Sequence, residues 1–181
     1  MIRALLRSFD RLTISHPLPV KCSSGAVLAM VGDLVAQKME GVHMSPSSVD
    51  ASRTLRLMVW RSILHTPVIH WWFAFIERRF AGSSPNSVLT KIALDQLVAS
   101  PAAHSLFFPY MAVAEGQSIS DAWQRLCDKW LPMMKMNYCM WPFVHLATFS
   151  VVPLQHRVLW VNFWGAVWLG MLSALNAKSA G

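Results

Sequence analysis

Apolar residues in this chain fall into four long stretches, and each stretch is interrupted by polar or ionisable residues at isolated positions. The stretches are Cys22–Gln37, Leu57–Ile76, Ile92–Ala114 and Tyr138–Leu175. A helix needs about 20 residues to cross a bilayer, so the pattern predicts kinked transmembrane helices. The last stretch has room for two helices divided at Arg157, and we therefore expect about four spans, or five.

The first 15 residues have the pattern of a basic amphipathic helix. Arg3, Arg7 and Arg11 recur at four-residue spacing, with apolar side chains on the opposite face. Such a segment is typical of an interfacial anchor or a mitochondrial presequence. Because Asp10 is unusual in a presequence and no clear cleavage signal follows, a retained helix is favoured.

Composition supports a membrane protein. Of the 181 residues, 54% are hydrophobic and only 14% are charged, with a formal net charge of +7. An ordinary soluble domain carries about 25% charged residues. We therefore predict an all-α integral membrane bundle formed by one domain, 1–181, in which residues 1–15 form the amphipathic helix and 16–181 form the bundle.

Motifs for enzymatic chemistry are missing from the sequence. It contains no nucleophile elbow, phosphate-binding glycine loop or dinucleotide fingerprint. The three cysteines have no metal-ligand spacing, and the basic residues are scattered between apolar blocks. We expect no catalytic residue, metal or cofactor and no direct nucleic-acid partner; the expected partners are the lipid bilayer and small solutes or ions.

Small residues recur at helical spacing in two of the stretches, where they predict close helix packing. One alternative use of either group is contact between two copies of the chain in a homo-oligomer. The groups are Gly25, Ala29, Gly32 and Ala36 in the first stretch and Ala166, Gly170 and Ala174 in the last.

Ionisable residues within the apolar stretches are the candidate functional residues. A charged group at the bilayer centre costs about 2.5–3.5 kcal/mol, so Asp33 should point into the bundle, beside Gln37 one turn later. Asp33 either lines a water-filled path or polar network, or belongs to a structural ion pair. Asp95 and Gln96 lie nearer the end of a span, where pairing is favoured, and His70 is expected to be an interior or interfacial histidine.

Taken together, these positions resemble the membrane-protein family named after Mpv-seventeen and the twenty-two-kilodalton peroxisomal membrane protein. Three positions depart from the usual family pattern: Thr66 replaces Gly, Thr148 replaces Asn, and His145 stands where Gln is frequent. The residues that carry the resemblance are His16, Pro17, Lys21, Gly32, Asp33, Gln37, Asp50, Arg53, Pro67, Val68, Ile69, His70, Trp71, Trp72, Phe73, Asp95, Gln96, Pro101, Asn137, Tyr138, Cys139, Met140, Trp141, Pro142, Phe149, Val152, Pro153, Arg157, Trp168, Leu172 and Ser173.

The resemblance implies a protein of the mitochondrial inner membrane or of the peroxisomal membrane, with no known catalytic reaction. Members of the family are associated with channel activity for small solutes, with membrane potential and reactive-oxygen homeostasis, and with mitochondrial DNA maintenance. The basic N-terminal helix favours the mitochondrial inner membrane for this chain.

Our hypothesis from the sequence is a small channel, and its rival is a non-conducting scaffold that organises lipids or partner proteins. In the channel, polar residues line or gate a path, two arginines pair with acidic groups or lipid phosphates, and prolines kink the helices to allow gating. The path residues are Asp33, Gln37, His70, Asp95 and Gln96, the arginines are Arg53 and Arg157, and the kinks are at Pro67, Pro101, Pro142 and Pro153.

Overall fold

The computed structural model of the protein describes residues 10–41 and 48–179, with side chains described as far as Met171. Within this part of the chain all regular secondary structure is helical. The all-α class predicted from the sequence is thus confirmed. Residues 10–15 are helical, whereas Arg3 and Arg7 of the expected amphipathic helix lie outside the described residues.

In the described part of the chain after residue 16 there are seven α-helices, and two π-helical segments join four of them into longer rods. The segment Trp60–His65 continues α2 into α3, and the segment Asp95–Ala99 continues α4 into α5. The helices are α1 (Pro17–Met39), α2 (Ala51–Val59), α3 (Thr66–Arg79), α4 (Pro85–Leu94), α5 (Ser100–Ala114), α6 (Ile119–Ser150) and α7 (Leu154–Ser179).

Each π-helical segment ends two residues before a proline, Pro67 in one case and Pro101 in the other. Proline has no backbone N–H, and its ring collides with the carbonyl four residues earlier, which disrupts a regular α-helix. A π-helical turn contains an additional residue and often interrupts longer α-helices. The structure therefore places a local change of helix geometry where the sequence predicted kinks at these two prolines.

The other two prolines named as kinks have different positions. Pro142 lies inside α6, whereas Pro153 lies in the short break between α6 and α7. The C-terminal stretch is thus divided at Val151–Pro153, where the backbone leaves the helical path, and Arg157 is a buried residue in the first turns of α7. The division that the sequence predicted at Arg157 is therefore wrong by four residues. The helix is interrupted at Pro153, a proline, and not at the charged residue Arg157.

Two compact units make up the chain, and they are described separately. The first comprises Met1–His70 and Gln155–Gly181, and the second comprises Trp71–Leu154. In the first unit, a Cβ atom added at Gly32 of α1 would lie 2.9 Å from the Cα atom of Ala166 in α7. The two groups of small residues therefore meet, with the side chain of Ala174 outside the described part.

The second unit has an aromatic core between α3 and α6. The rings of Phe73 and Phe149 meet edge to face with centroids 5.6 Å apart, and Phe73 also contacts His145 at 6.2 Å. Trp130 of α6 donates a hydrogen bond to the Ser105 hydroxyl of α5 at 3.0 Å. Aromatic packing thus holds α6 against α3, and the hydrogen bond of Trp130 holds it against α5.

Two of the described helical rods are long and apolar enough to cross a membrane, Pro17–Met39 and Pro85–Ala114. On α1, Val27, Val31 and Val35 are exposed on the face opposite the buried small residues. An apolar face of this kind suits contact with lipid. The number of spans predicted from the sequence, four or five, stays a prediction.

Candidate functional site

The buried carboxylate of Asp33 is the centre of a polar cluster between α1 and α2. Asp33 is 0% exposed, and its Oδ2 atom accepts hydrogen bonds from Gln37 Nε2 at 2.8 Å and Thr54 Oγ1 at 2.6 Å. The Gln37 Oε1 atom accepts a hydrogen bond from the backbone N–H of Asp50 at 2.8 Å. We name these residues, together with Arg53, the Asp33 cluster.

Arg53 connects this cluster to the surface of the first unit. Its Nε atom lies 2.8 Å from Asp33 Oδ1, an ion-pair contact without hydrogen-bond geometry, while its other two nitrogens donate to Glu40 at 2.6 and 3.1 Å. The hydrogen bond to Glu40 is the main influence that raises the pKa of Arg53, and the charge of Asp33 adds to it. Arg53 is therefore a permanent cation that compensates the buried carboxylate.

A second buried carboxylate, Asp95, begins the π-helical segment of the second unit. Its Oδ1 atom accepts a hydrogen bond from Trp72 Nε1 at 3.1 Å, and its Oδ2 atom lies 2.8 Å from His145 Nε2. The neighbouring Gln96 accepts a hydrogen bond from Asn137 Nδ2 at 2.9 Å through its side-chain oxygen. These five residues form the Asp95 cluster, which joins α3 and α6 to the segment.

The π-helical geometry explains one further contact of Gln96. In an i to i+5 pattern the Gln96 carbonyl would accept from the backbone of Pro101, which has no N–H. The hydroxyl of Tyr138 supplies the missing donor, with a distance of 3.2 Å between its oxygen and the Gln96 carbonyl oxygen. Tyr138 thus satisfies a backbone group that proline leaves without its helical partner.

His70, the fifth residue expected on a polar path, lies in the first unit beside Lys21. The distance between Lys21 Nζ and His70 Nδ1 is 3.1 Å. The structure therefore brings Asp33 and Gln37 together in one cluster and Asp95 and Gln96 together in another, while His70 belongs to neither. Arg157 is buried in the first unit, 6% exposed.

The tryptophans of the family motif have distinct environments. Trp72 is the donor to Asp95 described above, Trp141 lies beside His145 with tilted rings whose centroids are 5.6 Å apart, and Trp168 is buried, 8% exposed. Among the described residues no group of three histidine, cysteine, aspartate or glutamate side chains is arranged to hold a metal ion.

Three residues that contact Asp33, Gln96 or Asp95 are not singled out by the sequence pattern as members of these clusters. Thr54, Asn137 and His145 lie 21, 41 and 50 residues from their partners, a separation that local spacing does not reveal. The family pattern offers a signal for two of these residues. Asn137 matches the family motif, and His145 stands where the family frequently has Gln.

Comparison with known proteins places this geometry in context. The model of the Mpv17 / PMP22 family matches residues 112–173, which contain α6 and most of α7. Protein SYM1 of Eremothecium gossypii is 34% identical over 170 residues, covering 92% of each chain. The chain belongs to the Mpv17 / PMP22 family. No solved structure matches it.

Other family relatives match over nearly the full chain. The mitochondrial inner membrane protein Mpv17 of Xenopus laevis is 30% identical and covers 97% of this chain and 98% of its own length. PXMP2/4 family protein 4 of Dictyostelium discoideum is 27% identical over 90% of this chain and 88% of its own. The family resemblance is thereby confirmed, and with it the expected localisation in the mitochondrial inner membrane.

Proposed function

We propose that the protein is a channel for small solutes or ions in the mitochondrial inner membrane and that the Asp33 cluster is its gate. The observation that carries this proposal is the buried carboxylate of Asp33 on α1, a helix long and apolar enough to cross the membrane. A carboxylate at such a position costs about 2.5–3.5 kcal/mol to insert, and residues of this kind commonly mark ion or substrate paths.

The hydrogen bonds of the cluster describe a closed state. Thr54 of α2 donates to Asp33 of α1, and the backbone of Asp50 donates to Gln37 of α1, so these bonds hold the two helices together. Parting the helices would break both bonds and admit water to the Asp33 carboxylate. The opening motion is a small shift of α2, because this helix continues into the π-helical segment Trp60–His65, where the helix geometry changes.

In this proposal the remaining polar residues line the path. Asp95 and Gln96 contribute in the second unit and His70 in the first. A regulated conductance would alter the membrane potential of the inner membrane. Through the potential it would influence reactive-oxygen production and mitochondrial DNA maintenance, the roles that the family resemblance implies.

Accessibility to water tests the gate. In a background without Cys22, Cys127 and Cys139, cysteine is introduced either at Gln37, which is buried in the cluster, or at Val35, which is exposed on the same helix. In reconstituted channels, Gln37→Cys should react with a charged thiol reagent faster when the channel is open than when it is closed. Val35→Cys should react with a lipid-soluble maleimide and not with the charged reagent.

The opposite pattern would exclude this gate. If Gln37→Cys resists the charged reagent while current passes through the same membranes, the conducting path does not cross the Asp33 cluster. A Val35→Cys variant that reacts readily with the charged reagent would show that this face of α1 is not in lipid, which would contradict the assumed orientation of the helix.

A non-conducting scaffold is the second candidate. It is favoured by the mutual hydrogen bonding of the buried residues, because buried polar side chains that hydrogen-bond to one another also hold helices together. A scaffold predicts no current from folded protein and no reaction of Gln37→Cys with charged reagents at any voltage. The accessibility experiment and current recording therefore separate the two functions.

A further inference from the structure

A basic cluster in the first unit takes no part in the Asp33 cluster. It comprises Lys21 of α1, Arg61 and His65 of the π-helical segment, His70 of α3 and Asn162 of α7. Lys21 is 2% exposed, and Asn162 is also 2% exposed. Lys21 Nζ lies 3.1 Å from His70 Nδ1, and Arg61 Nη1 lies 3.1 Å from His65 Nδ1.

Two glycines bring these side chains together. Gly25 lies one helical turn after Lys21, and a Cβ atom there would be 3.2 Å from Arg61 Cγ and 3.1 Å from Asn162 Nδ2. A Cβ atom at Gly165 would be 1.9 Å from Arg61 Nη2, so the guanidinium occupies space that only glycine leaves open. Asn162 also donates to the Lys21 carbonyl at 3.3 Å. Residues of four helical segments thus meet around two cations.

Within the described residues, no aspartate or glutamate forms an ion pair with the cations of the basic cluster. All nine aspartate and glutamate residues lie in the described part of the chain, and the four in the first unit have other partners there. Asp10 lies near His156, Asp33 and Glu40 contact Arg53, and Asp50 caps α2. No ion pair joins any of these described carboxylates to Lys21 or Arg61.

The two histidines satisfy hydrogen bonds of the cations without neutralising them. Lysine and arginine side chains are donors only, so each imidazole Nδ1 atom must be the acceptor and carries no proton. Lys21 is buried and Arg61 is half-buried. Burying a cation such as that of Lys21 without a counter-charge is costly, and such positions are retained mainly where they bind an anion or mark a path. Most N–H donors of Lys21 and Arg61 are free of protein partners in the described residues, which leaves them available to a ligand.

We propose that the basic cluster binds a phosphate group. A guanidinium offers two parallel N–H groups to two phosphate oxygens, and a lysine ammonium adds a second positive charge, which together suit a phosphate better than a monovalent halide. Lys21 is the fifth residue of α1, about 6 Å along the helix from its first residue at 1.5 Å per residue. A lipid headgroup and a free phosphate compound could both reach this depth. The site does not depend on the proposed channel activity.

The test measures thermal unfolding of the full chain in dodecyl maltoside micelles, which contain no phosphate group. Inorganic phosphate is titrated against chloride at constant ionic strength, and in a second arm cardiolipin is added to the micelles without free phosphate. A saturable rise in the unfolding temperature with inorganic phosphate identifies a free phosphate site, whereas a rise confined to cardiolipin identifies a headgroup site. No rise in either arm overturns the proposal.

Variants locate the binding site. Lys21→Met and Arg61→Met should each weaken the apparent affinity for the active probe about tenfold or more, the loss expected for a charge-assisted hydrogen bond. Lys38→Met, which removes an exposed lysine from the same helix, is the matched control and should leave the affinity unchanged. Gly165→Ala keeps every charge but displaces the Arg61 guanidinium, and should weaken binding as Arg61→Met does. Equal losses in Lys38→Met and Lys21→Met would indicate general charge attraction and overturn the site.

Discussion

The close approach of α1 to α7 at Gly32 leads to a quantitative prediction for Gly32→Ala. An added Cβ atom would lie 2.9 Å from Ala166 Cα, 3.1 Å from Ala166 O and 3.2 Å from Ala166 Cβ. Carbon atoms in favourable contact are about 3.5–4.0 Å apart, so the two helices must separate by several tenths of an ångström. The obstructing atoms are mostly backbone, which cannot move aside as the end of a flexible side chain can.

The magnitude follows from two opposing contributions. Overpacking of this kind costs about 1–3 kcal/mol, whereas alanine is favoured over glycine inside a helix by about 1 kcal/mol. Gly170→Ala in α7 is the matched control, because among the described atoms its added Cβ atom would meet only Met39 Sδ, at 4.0 Å. The helix-propensity gain is common to both variants, so Gly32→Ala should be less stable than Gly170→Ala by about 1–3 kcal/mol.

Reversible unfolding in mixed detergent micelles, followed by tryptophan fluorescence, measures both variants under the same conditions. The nine tryptophans of the chain provide the signal. Equal stability of Gly32→Ala and Gly170→Ala would refute the reasoning, because it would mean that α1 and α7 do not approach at Gly32. A loss that appears only in Gly32→Ala supports the packing described for the first unit.

Two further predictions concern single hydrogen bonds and use the same unfolding measurement. Thr54→Val removes the hydroxyl that donates to the buried Asp33 carboxylate at 2.6 Å and should lower the free energy of unfolding by about 1.5–3 kcal/mol. Thr90→Val removes only a bond to the preceding turn of its own helix and should change it little; equal losses would exclude a special role for Thr54. Tyr138→Phe removes the donor to the Gln96 carbonyl and should cost about 1 kcal/mol, and an unchanged stability would show that this carbonyl has another donor.

Local features of this fold were predictable because their causes lie within one helical turn. Asp33 and Gln37 are four residues apart and therefore share a face of α1, and their hydrogen bond follows from that spacing. The small residues around Gly32 and Ala166 recur at helical spacing, which identifies a packing face without naming its partner. Helical structure over the apolar stretches follows from similarly local patterns.

Other features were not predictable because they depend on the register between distant segments. The partners Thr54 and His145 reach their carboxylates only through the packing of whole helices, which hydrophobic spacing does not determine. The π-helical segments before Pro67 and Pro101 add a residue to a turn, and the sequence marks only the proline. The sequence predicts a division of the last stretch at Arg157, whereas the helix is interrupted at Pro153, which has no backbone N–H.

The channel proposal is tested most directly by recording current from the purified protein in planar bilayers, with Asp33→Asn and a mock purification in parallel. The account predicts reproducible unitary currents that are absent from the mock. Asp33→Asn, which removes the charge at the gate, should alter their conductance, ion selectivity or gating. Silence from protein shown to be folded and inserted, over a range of voltage, pH and redox conditions, would contradict the channel. Currents that Asp33→Asn leaves unchanged in all three properties would contradict the gate.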